Sequence, residues 1–319
     1  MTKLAFVFPG QGSQKIGMGK DFYDAFISVQ NLFHKGSEVL PFSLPETIFE
    51  GDTEQLTQTA YAQPCILSTS IAIGNLLKEN GIEPHMVGGH SLGEYSALVF
   101  SGMLSYQDGV RLVYERGTLM ADADPQKQGG MAAVLGLDAN QILASLQSDD
   151  FCKENVEIAN DNCPGQVVIS GIKAGIEQAT PLLKEAGAKR IMPLSVAGPF
   201  HSSLMKPAAE RFSDVLGTFS FELPVCSVYS NVSAQPYEMD IQKVKSSLVE
   251  QMVHAVRFTE MIQNMIADGA TTFVEVGPGK VLSGLIKKID KNVAIYSTST
   301  MEELKAFVAA WNKEKGENV

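Results

Sequence analysis

The chain of 319 residues is 45% hydrophobic and 19% charged, which is typical of a globular protein with a large core. Acidic residues outnumber basic ones by 36 to 25, and the resulting net charge of −11 argues against binding to nucleic acid or to anionic membranes. The amino-terminal apolar run, residues 4–8, ends at Pro9 and is too short for the apolar core of a signal peptide.

The four cysteines have no CxxC spacing, so the sequence favours neither a zinc site nor a disulfide framework. The longest apolar stretch, residues 65–77, is interrupted by serine, threonine, glycine and asparagine and is too polar to span a bilayer. We therefore expect a cytoplasmic protein with reduced cysteines, no metal and no membrane segment.

Predicted strands and helices alternate along most of the chain, which indicates a mainly parallel sheet with helices on both faces. Pro64 and Gly81 mark the first turn and the end of one predicted helix. A helix that begins near His201 has one apolar face, formed by Leu204, Ala208, Phe212, Val215 and Leu216. The predicted strands are residues 4–8, 86–89, 225–229, 272–276 and 293–296, and the other predicted helices are residues 63–80, 94–100 and 110–121.

Residues 130–195 break this alternation. Their elements follow the β-α-β-β-α-β order of a ferredoxin-like fold, with strands at 131–135, 156–159, 167–170 and 190–194 and helices at 139–146 and 176–186. The preceding segment, residues 121–130, is rich in Asp, Gln, Gly and Pro, as a linker would be. We therefore predict a large α/β subdomain of residues 1–127 and 196–319 and an inserted small subdomain of residues 128–195.

The sequence Gly-His-Ser-Leu-Gly at residues 89–93 matches the G-x-S-x-G motif, with an apolar strand before it and a helix after it. The two glycines let strand and helix approach closely, and the sharp turn would present Ser91 at the end of the strand. A lone match arises often by chance, and the alternative is a structural turn. The flanking elements favour a catalytic Ser91.

A serine hydroxyl is a poor nucleophile unless a base takes its proton. Among the five histidines, His90 neighbours the nucleophile and should point away from it. His201 follows the loop Val-Ala-Gly-Pro-Phe, and a junction of loop and helix can deliver an imidazole to a site at strand ends. The alternative for His201 is a helix-capping or surface histidine. The remaining histidines are His34, His85 and His254.

An oxyanion hole requires two backbone N–H groups aimed at the developing negative charge. Leu92, the residue after the nucleophile, would supply one. The loop Phe-Pro-Gly-Gln-Gly-Ser-Gln, residues 8–14, would supply the other from Gln11, because Gly10 and Gly12 leave the backbone bare. A phosphate-binding loop is the alternative, but this loop lacks the Walker lysine and the GxGxxG spacing.

Seven segments occur in one order: FPGQGSQ (8–14), YAQP (61–64), GHSLGEYSAL (89–98), ERG (115–117), PGQVVISG (164–171), FH (200–201) and EVGPGKVLSGL (275–285). Together they resemble the malonyl-CoA:acyl carrier protein transacylases of fatty-acid synthesis, over residues 3–289. The resemblance implies an α/β-hydrolase-like large subdomain with a parallel sheet and an inserted ferredoxin-like small subdomain.

The resemblance implies a nucleophile at Ser91, a base at His201 and oxyanion donors at the amides of Gln11 and Leu92. It assigns to Arg116 the arginine that holds the malonyl carboxylate, a role that suits the planar fork of a guanidinium. The residues alone would favour an exposed helix arginine at that position.

Four further roles are implied by the resemblance. Gln63 would line the acyl pocket, the Gln251 carbonyl would steady the base, Asn160 would close the cleft, and Phe200 would select malonyl over α-branched groups. The chain departs from the family at residues 255–258, where Ala-Val-Arg-Phe replaces a Pro-Val-x-Trp stretch. This departure puts the placement of the Gln251 carbonyl in question.

The function implied is ping-pong transfer of malonyl from malonyl-CoA to the phosphopantetheine thiol of acyl carrier protein, with no cofactor held by the chain itself. A serine hydrolase or thioesterase on the same motif is one alternative, and a catalytically inactive binding module is another. Arg116 argues against a fatty-ester substrate, and the presence of nucleophile, base and oxyanion loop argues against an inactive module.

Carrier docking requires a local basic cluster, because acyl carrier proteins are generally acidic and this chain is acidic too. The first candidate is the pair Lys287 and Lys288, on the helix after Gly-Pro-Gly. The second is the pair Lys189 and Arg190, at the start of the last strand of the small subdomain. Exposed lysine pairs with no partner are the alternative.

Overall fold

A computed structural model describes residues 3–315 of the chain, which form nine strands and fourteen α-helices. The strands are β1 Lys3–Phe8, β2 Met86–Gly89, β3 Gly129–Leu135, β4 Val156–Cys163, β5 Gln166–Ile172, β6 Arg190–Pro193, β7 Ser227–Val228, β8 Ala270–Glu275 and β9 Ala294–Ser297. The helices are α1 Lys20–Ala25, α2 Ile27–Ser37, α3 Thr53–Thr57, α4 Thr59–Glu79, α5 Leu92–Phe100, α6 Tyr106–Ala121, α7 Ala139–Gln147, α8 Asp150–Asn155, α9 Lys173–Glu185, α10 Lys206–Gly217, α11 Ile241–Glu250, α12 Phe258–Ala267, α13 Val281–Ile289 and α14 Met301–Lys315.

The chain divides into two compact units, and the described part of the first comprises residues 3–117, 219–229 and 264–315. Its five strands form one sheet in the order β7-β2-β1-β8-β9, and every neighbouring pair is parallel. The central strand β1 is apolar and buried from Leu4 to Phe8 without alternation, as a strand covered on both faces should be. The predicted parallel α/β sheet is confirmed.

The second unit comprises residues 118–218 and 230–263 and contains a four-stranded sheet in the order β4-β5-β3-β6. All three neighbouring pairs are antiparallel. A core of branched side chains lies between this sheet and the helices α7 and α9, and it includes Val134, Ile142, Val167, Ile169 and Leu183. The strand order and the two crossover helices are those of a ferredoxin-like fold, as predicted.

The predicted subdomain boundaries, 1–127 with 196–319 and 128–195, stay a prediction. The second compact unit extends further than the predicted insert, because it also contains α10, α11 and the beginning of α12.

The helix predicted to begin at residue 63 begins one turn earlier. The carbonyl of Gln58 accepts the N–H groups of Tyr61 and Ala62, so the first turn of α4 forms before Pro64 is reached. Pro64 therefore lies inside the helix, at its sixth residue, rather than in its first turn.

The helix predicted to begin near His201 was placed too early. His201 has a φ of 58°, which no α-helix accommodates, and a 3₁₀ turn at Ser203–Met205 precedes α10. Leu204 consequently leaves the predicted apolar face and is 41% exposed, whereas Ala208, Phe212 and Leu216 are buried as expected.

The strand predicted at residues 225–229 is shortened to β7. The N–H groups of Glu222 and Val225 donate to the carbonyls of Met103 and Ser101, so this stretch pairs with the loop after α5 instead of with the sheet. Val225 is 80% exposed.

No helix among residues 3–315 is both long and apolar enough to cross a membrane. All four cysteines are free thiols, of which Cys65, Cys152 and Cys163 are buried. Within the same residues no group of three or more His, Cys, Asp and Glu side chains could hold a metal ion.

Candidate active site

The turn between β2 and α5 holds Ser91 in an unusual backbone conformation, with φ 52° and ψ −103°. A residue other than glycine is uncommon at positive φ, and such strain costs about 1–3 kcal/mol, so it persists only where the surrounding structure imposes it. β2 ends at Gly89 and α5 begins at Leu92, so the chain reverses within two residues. This strand-turn-helix geometry is the context in which a G-x-S-x-G motif indicates a nucleophilic serine.

Glycine is required on both sides of this turn. A Cβ atom at Gly93 would lie 1.9 Å from the Phe8 carbonyl oxygen, and one at Gly89 would lie 2.1 Å from the carbonyl carbon of Gly93. The N–H of His90 donates to the same Phe8 carbonyl at 3.0 Å. Helix α5 therefore sits directly on the ends of β1 and β2, with Ser91 immediately before its first turn.

Arg116, on helix α6, is 1% exposed, so a surface helix arginine is the wrong interpretation of this residue. Its Nη1 donates to Gln63 Oε1 at 2.8 Å and its Nη2 donates to Ser91 Oγ at 3.2 Å. The guanidinium carbon lies 5.1 Å from the centroid of the Tyr95 ring. Burial lowers the pKa of Arg116, because desolvation disfavours the charge, while the nearby Tyr95 and Glu94 act in the opposite direction.

A chain of hydrogen bonds continues from Arg116 through Gln63 and Thr59. Gln63 is buried and its Nε2 donates to Thr59 Oγ1 at 2.8 Å. Thr59 Oγ1 in turn donates to Gln11 Oε1 at 2.8 Å. Thr59 was not predicted as a site residue, although its position four residues before Gln63 places both on one side of a helix.

The loop after β1 lies against the turn that carries Ser91. A Cβ atom at Gly10 would lie 2.4 Å from the His90 carbonyl oxygen, and Gly12 has a φ of 101°, so both positions require glycine. The Ser13 hydroxyl donates to the Gly10 carbonyl at 2.7 Å and closes the loop. In the first unit the structure thus brings Ser91, Arg116, Gln63 and the Gln11 loop together.

His201 belongs to the second unit, where it is buried. Burial excludes a surface histidine, and the start of α10 at Lys206 excludes a helix cap at position 201. Its Nδ1 lies 2.7 Å from the carbonyl oxygen of Gln251, the residue that follows α11. Because a carbonyl oxygen can only accept, Nδ1 carries the hydrogen, and the neutral ring has its lone pair at Nε2.

The segment at residues 255–258, where the chain departs from the family pattern, is tied to β4. The Val256 N–H donates to the Ala159 carbonyl at 2.9 Å, and the Asp161 N–H donates to the Val256 carbonyl at 2.9 Å. Phe258 is fully buried. These bonds hold the turn after Gln251 without the proline of the family pattern.

The remaining predicted site residues are placed as follows. Asn160, in β4, and Phe200 are buried in the second unit. Lys287 and Lys288 are exposed on the last turn of α13.

A family model described as "Acyl transferase domain" matches residues 5–318. The malonyl CoA-acyl carrier protein transacylase of Bacillus subtilis (strain 168) is 48% identical over 316 residues, which cover 98% of this chain and 99% of that protein. The solved structure of the malonyl CoA-acyl carrier protein transacylase from Clostridium perfringens ATCC 13124 matches with a TM-score of 0.94 at 38% identity, covering 99% of this chain and 100% of that one.

A second solved structure shows a type II PKS acyl-carrier protein in complex with its malonyl-transacylase. It matches with a TM-score of 0.93 at 38% identity and covers 97% of this chain and 100% of that one. The family model and the Bacillus subtilis relative each extend over almost the whole sequence, so this chain belongs to the malonyl CoA-acyl carrier protein transacylase family of acyltransferases.

Proposed function

We propose that this enzyme transfers the malonyl group from malonyl-CoA to the phosphopantetheine thiol of an acyl carrier protein through a malonyl ester on Ser91. The observation that carries the proposal is the buried Arg116 guanidinium, whose Nη2 lies 3.2 Å from Ser91 Oγ. An acyl group on Ser91 would project into reach of this cation. A free carboxylate at the far end of that acyl group would supply the opposite charge that a desolvated guanidinium requires.

In the first half-reaction His201 Nε2 takes the proton from Ser91 Oγ, and Oγ attacks the thioester carbonyl of malonyl-CoA. The backbone amides of Gln11 and Leu92 stabilise the oxyanion of the tetrahedral intermediate. The carbon–sulfur bond then breaks, and the CoA sulfur leaves with the proton returned by His201. The 2.7 Å contact between Nδ1 and the Gln251 carbonyl supports this role, because it orients the ring and leaves Nε2 to act as the base.

In the second half-reaction the carrier thiol gives its proton to His201, and its sulfur attacks the malonyl ester. The ester oxygen leaves as Ser91 Oγ and takes the proton from His201. The phosphopantetheine belongs to the carrier, so the reaction uses no cofactor held by the enzyme. This sequence of two displacements is a ping-pong mechanism.

Asn160 and Phe200 are proposed to contact the acyl group. The Asn160 Nδ2 is buried without a hydrogen-bond partner among the described residues, which suits a donor kept for a substrate oxygen. The bulk of Phe200, which is itself buried, would exclude α-branched acyl groups.

A serine hydrolase that acts on fatty esters is the competing assignment, and the buried guanidinium disfavours it. A fatty ester has no second carboxylate, so the desolvation energy of the buried Arg116 would not be offset by an ion pair with the acyl group. We further propose that the enzyme works in the cytoplasm, which suits its free cysteines.

Incubation with malonyl-CoA, followed by intact-protein mass measurement with and without acyl carrier protein, tests the proposal. We expect the mass of one malonyl group on Ser91 without carrier, and its loss to the carrier thiol when carrier is added. Release of free malonate without carrier, as fast as the transfer to carrier protein, would identify a hydrolase instead.

Lys287 and Lys288 are proposed to dock the carrier, so the double charge reversal Lys287→Glu with Lys288→Glu should raise KM for carrier protein about tenfold at low salt. The effect should shrink as ionic strength rises, because these lysines are exposed and their field is screened. Formation of malonyl-Ser91 from malonyl-CoA should remain unchanged. Steady-state kinetics over a salt series measures both half-reactions.

The pair Lys189 and Arg190, which is exposed at the start of β6, is the second docking candidate, and its reversal distinguishes the two pairs. Its reversal should leave KM for carrier protein near the original value. An equal loss in both half-reactions for Lys287→Glu with Lys288→Glu would mean that this pair supports the fold or the CoA site.

A further inference from the structure

The hydrogen bonds that extend from Arg116 to the Gln11 loop all have the same direction. Arg116 Nη1 donates to Gln63 Oε1, and Gln63 Nε2 donates to Thr59 Oγ1. Thr59 Oγ1 in turn donates to Gln11 Oε1, and each of the three donor–acceptor distances is 2.8 Å. Arg116, Gln63 and Thr59 are buried. A cation therefore stands at one end of a continuous polar chain that ends at the proposed oxyanion loop.

Thr59 determines which end of the Gln63 amide faces the guanidinium. A hydroxyl has one proton, and that proton is committed to Gln11 Oε1, which can only accept. The Thr59 oxygen then presents lone pairs to Gln63, so it selects the Nε2 end of the amide. The Oε1 end is consequently left for Arg116, which has donors and no acceptor.

Loss of the Thr59 hydroxyl would remove this selection. With Nε2 facing an apolar side chain, the buried amide would keep an unsatisfied donor, which is costly in a desolvated site. A rotated amide would instead turn its NH₂ group toward the guanidinium, where two donors face each other. In either case Arg116 loses the Gln63 contact, one of the contacts that hold the guanidinium beside Ser91.

The backbone holds Thr59 close to Arg116. Thr59 is the first residue of α4, and Gly117 follows Arg116 on α6. A Cβ atom at Gly117 would lie 2.6 Å from the Thr59 carbonyl oxygen and 2.8 Å from the Ala60 Cα. Only glycine permits this approach, so the first turn of α4 and the Arg116 turn of α6 pack backbone to backbone.

We propose that Thr59 is a positioning residue for the malonyl carboxylate: its hydroxyl orients Gln63, and Gln63 holds the Arg116 guanidinium where an acyl group on Ser91 can reach it. The inference rests on the proposed function. Thr59 would then determine specificity without touching the substrate, and the loss of its hydroxyl should affect acyl groups with a second carboxylate far more than those without one.

The test compares Thr59→Val, which replaces the hydroxyl by a methyl of similar size, with Thr59→Ser, which keeps the hydroxyl. Acylation of Ser91 by malonyl-CoA and by acetyl-CoA is followed by intact mass, and kcat/KM is obtained for each. Thr59→Val should lower kcat/KM for malonyl-CoA about tenfold and that for acetyl-CoA by less than about twofold. Thr59→Ser should restore the original ratio of the two.

Thr57→Val is the matched control, because the exposed Thr57 hydroxyl donates only to the Thr53 carbonyl of its own helix. It should change neither substrate. If Thr59→Val does not fold, as judged by circular dichroism and thermal melting, Thr59→Ala removes the hydroxyl without added bulk and gives the same comparison.

Equal losses in kcat/KM for the two substrates would leave the malonyl-to-acetyl ratio unchanged, assign Thr59 a purely structural role and overturn the inference. A Thr59→Ser protein as impaired as Thr59→Val would overturn it too. Failure of the proposed function looks different, because then the unmodified enzyme itself would take up no malonyl group.

Discussion

The Ser91→Ala protein is expected to take up no malonyl group from malonyl-CoA and to lose transfer to carrier protein by more than about 1,000-fold. The alanine has no oxygen to acylate, and both half-reactions of the proposed mechanism pass through the ester on Ser91. Because alanine meets the same φ of 52° as serine, the turn should keep its shape and its strain. Intact mass after incubation and steady-state transfer rates measure the two effects.

Ser96→Ala provides a matched control on the same helix. Ser96 is buried five residues beyond the nucleophile, and its hydroxyl has no hydrogen-bond partner among the described residues, so its loss should leave acylation intact. Ser91→Cys should retain part of the acylation, since a thiol is intrinsically nucleophilic. A Ser91→Ala protein that transfers malonyl at a comparable rate would end the proposal.

The turn at Ser91 could be predicted because its signal is local. A short apolar strand, two glycines around a serine and a following helix lie within fifteen residues, 86–100, and the structure has each of them. The partner that makes Gly93 obligatory is the Phe8 carbonyl, far away in sequence. The motif therefore predicts that glycine is needed but not which backbone it approaches.

The ferredoxin-like sheet was equally predictable, because its six elements follow one another along the chain with no interruption except α8. The helix near His201 was not. Its expected start followed the apolar periodicity, which continues back to Leu204, whereas the positive φ of His201 forces the chain out of a helical path. A residue whose backbone lies in the left-handed region leaves no periodic signal in the sequence.

The environment of Arg116 could not be derived from residue patterns. The tyrosine, glutamate and glycine around it suit an exposed helix as well as a buried one, and only the resemblance to the family indicated otherwise. Its burial depends on contacts with Gln63 and Ser91, which lie 53 and 25 residues away in sequence. Thr59 was missed for the same reason, since its hydroxyl acts through Gln63 and Gln11 and carries no motif of its own.

Arg116→Ala should narrow the preference for malonyl-CoA over acetyl-CoA by roughly 30- to 1,000-fold, which corresponds to the loss of about 2–4 kcal/mol from a charged hydrogen bond in a desolvated pocket. Only malonyl carries the second carboxylate, so acetylation of Ser91 should fall far less. The Arg116→Lys protein should have a malonyl-to-acetyl preference between those of the unmodified enzyme and of Arg116→Ala. An ammonium keeps the charge but lacks the planar fork that binds both carboxylate oxygens. The ratio of kcat/KM for the two acyl-CoA substrates measures the effect.

Arg111→Ala is the matched control for this experiment, because Arg111 lies on the same helix, is exposed, and packs its guanidinium carbon 5.2 Å from the centroid of the Phe219 ring. Its removal should lower the melting temperature slightly and leave the substrate ratio unchanged. Removal of the buried Arg116 also creates a cavity, so folding of each variant is verified by circular dichroism before kinetics. An Arg116→Ala protein that folds and keeps the original ratio would place the guanidinium outside the acyl pocket, and the malonyl carboxylate would then need another cation.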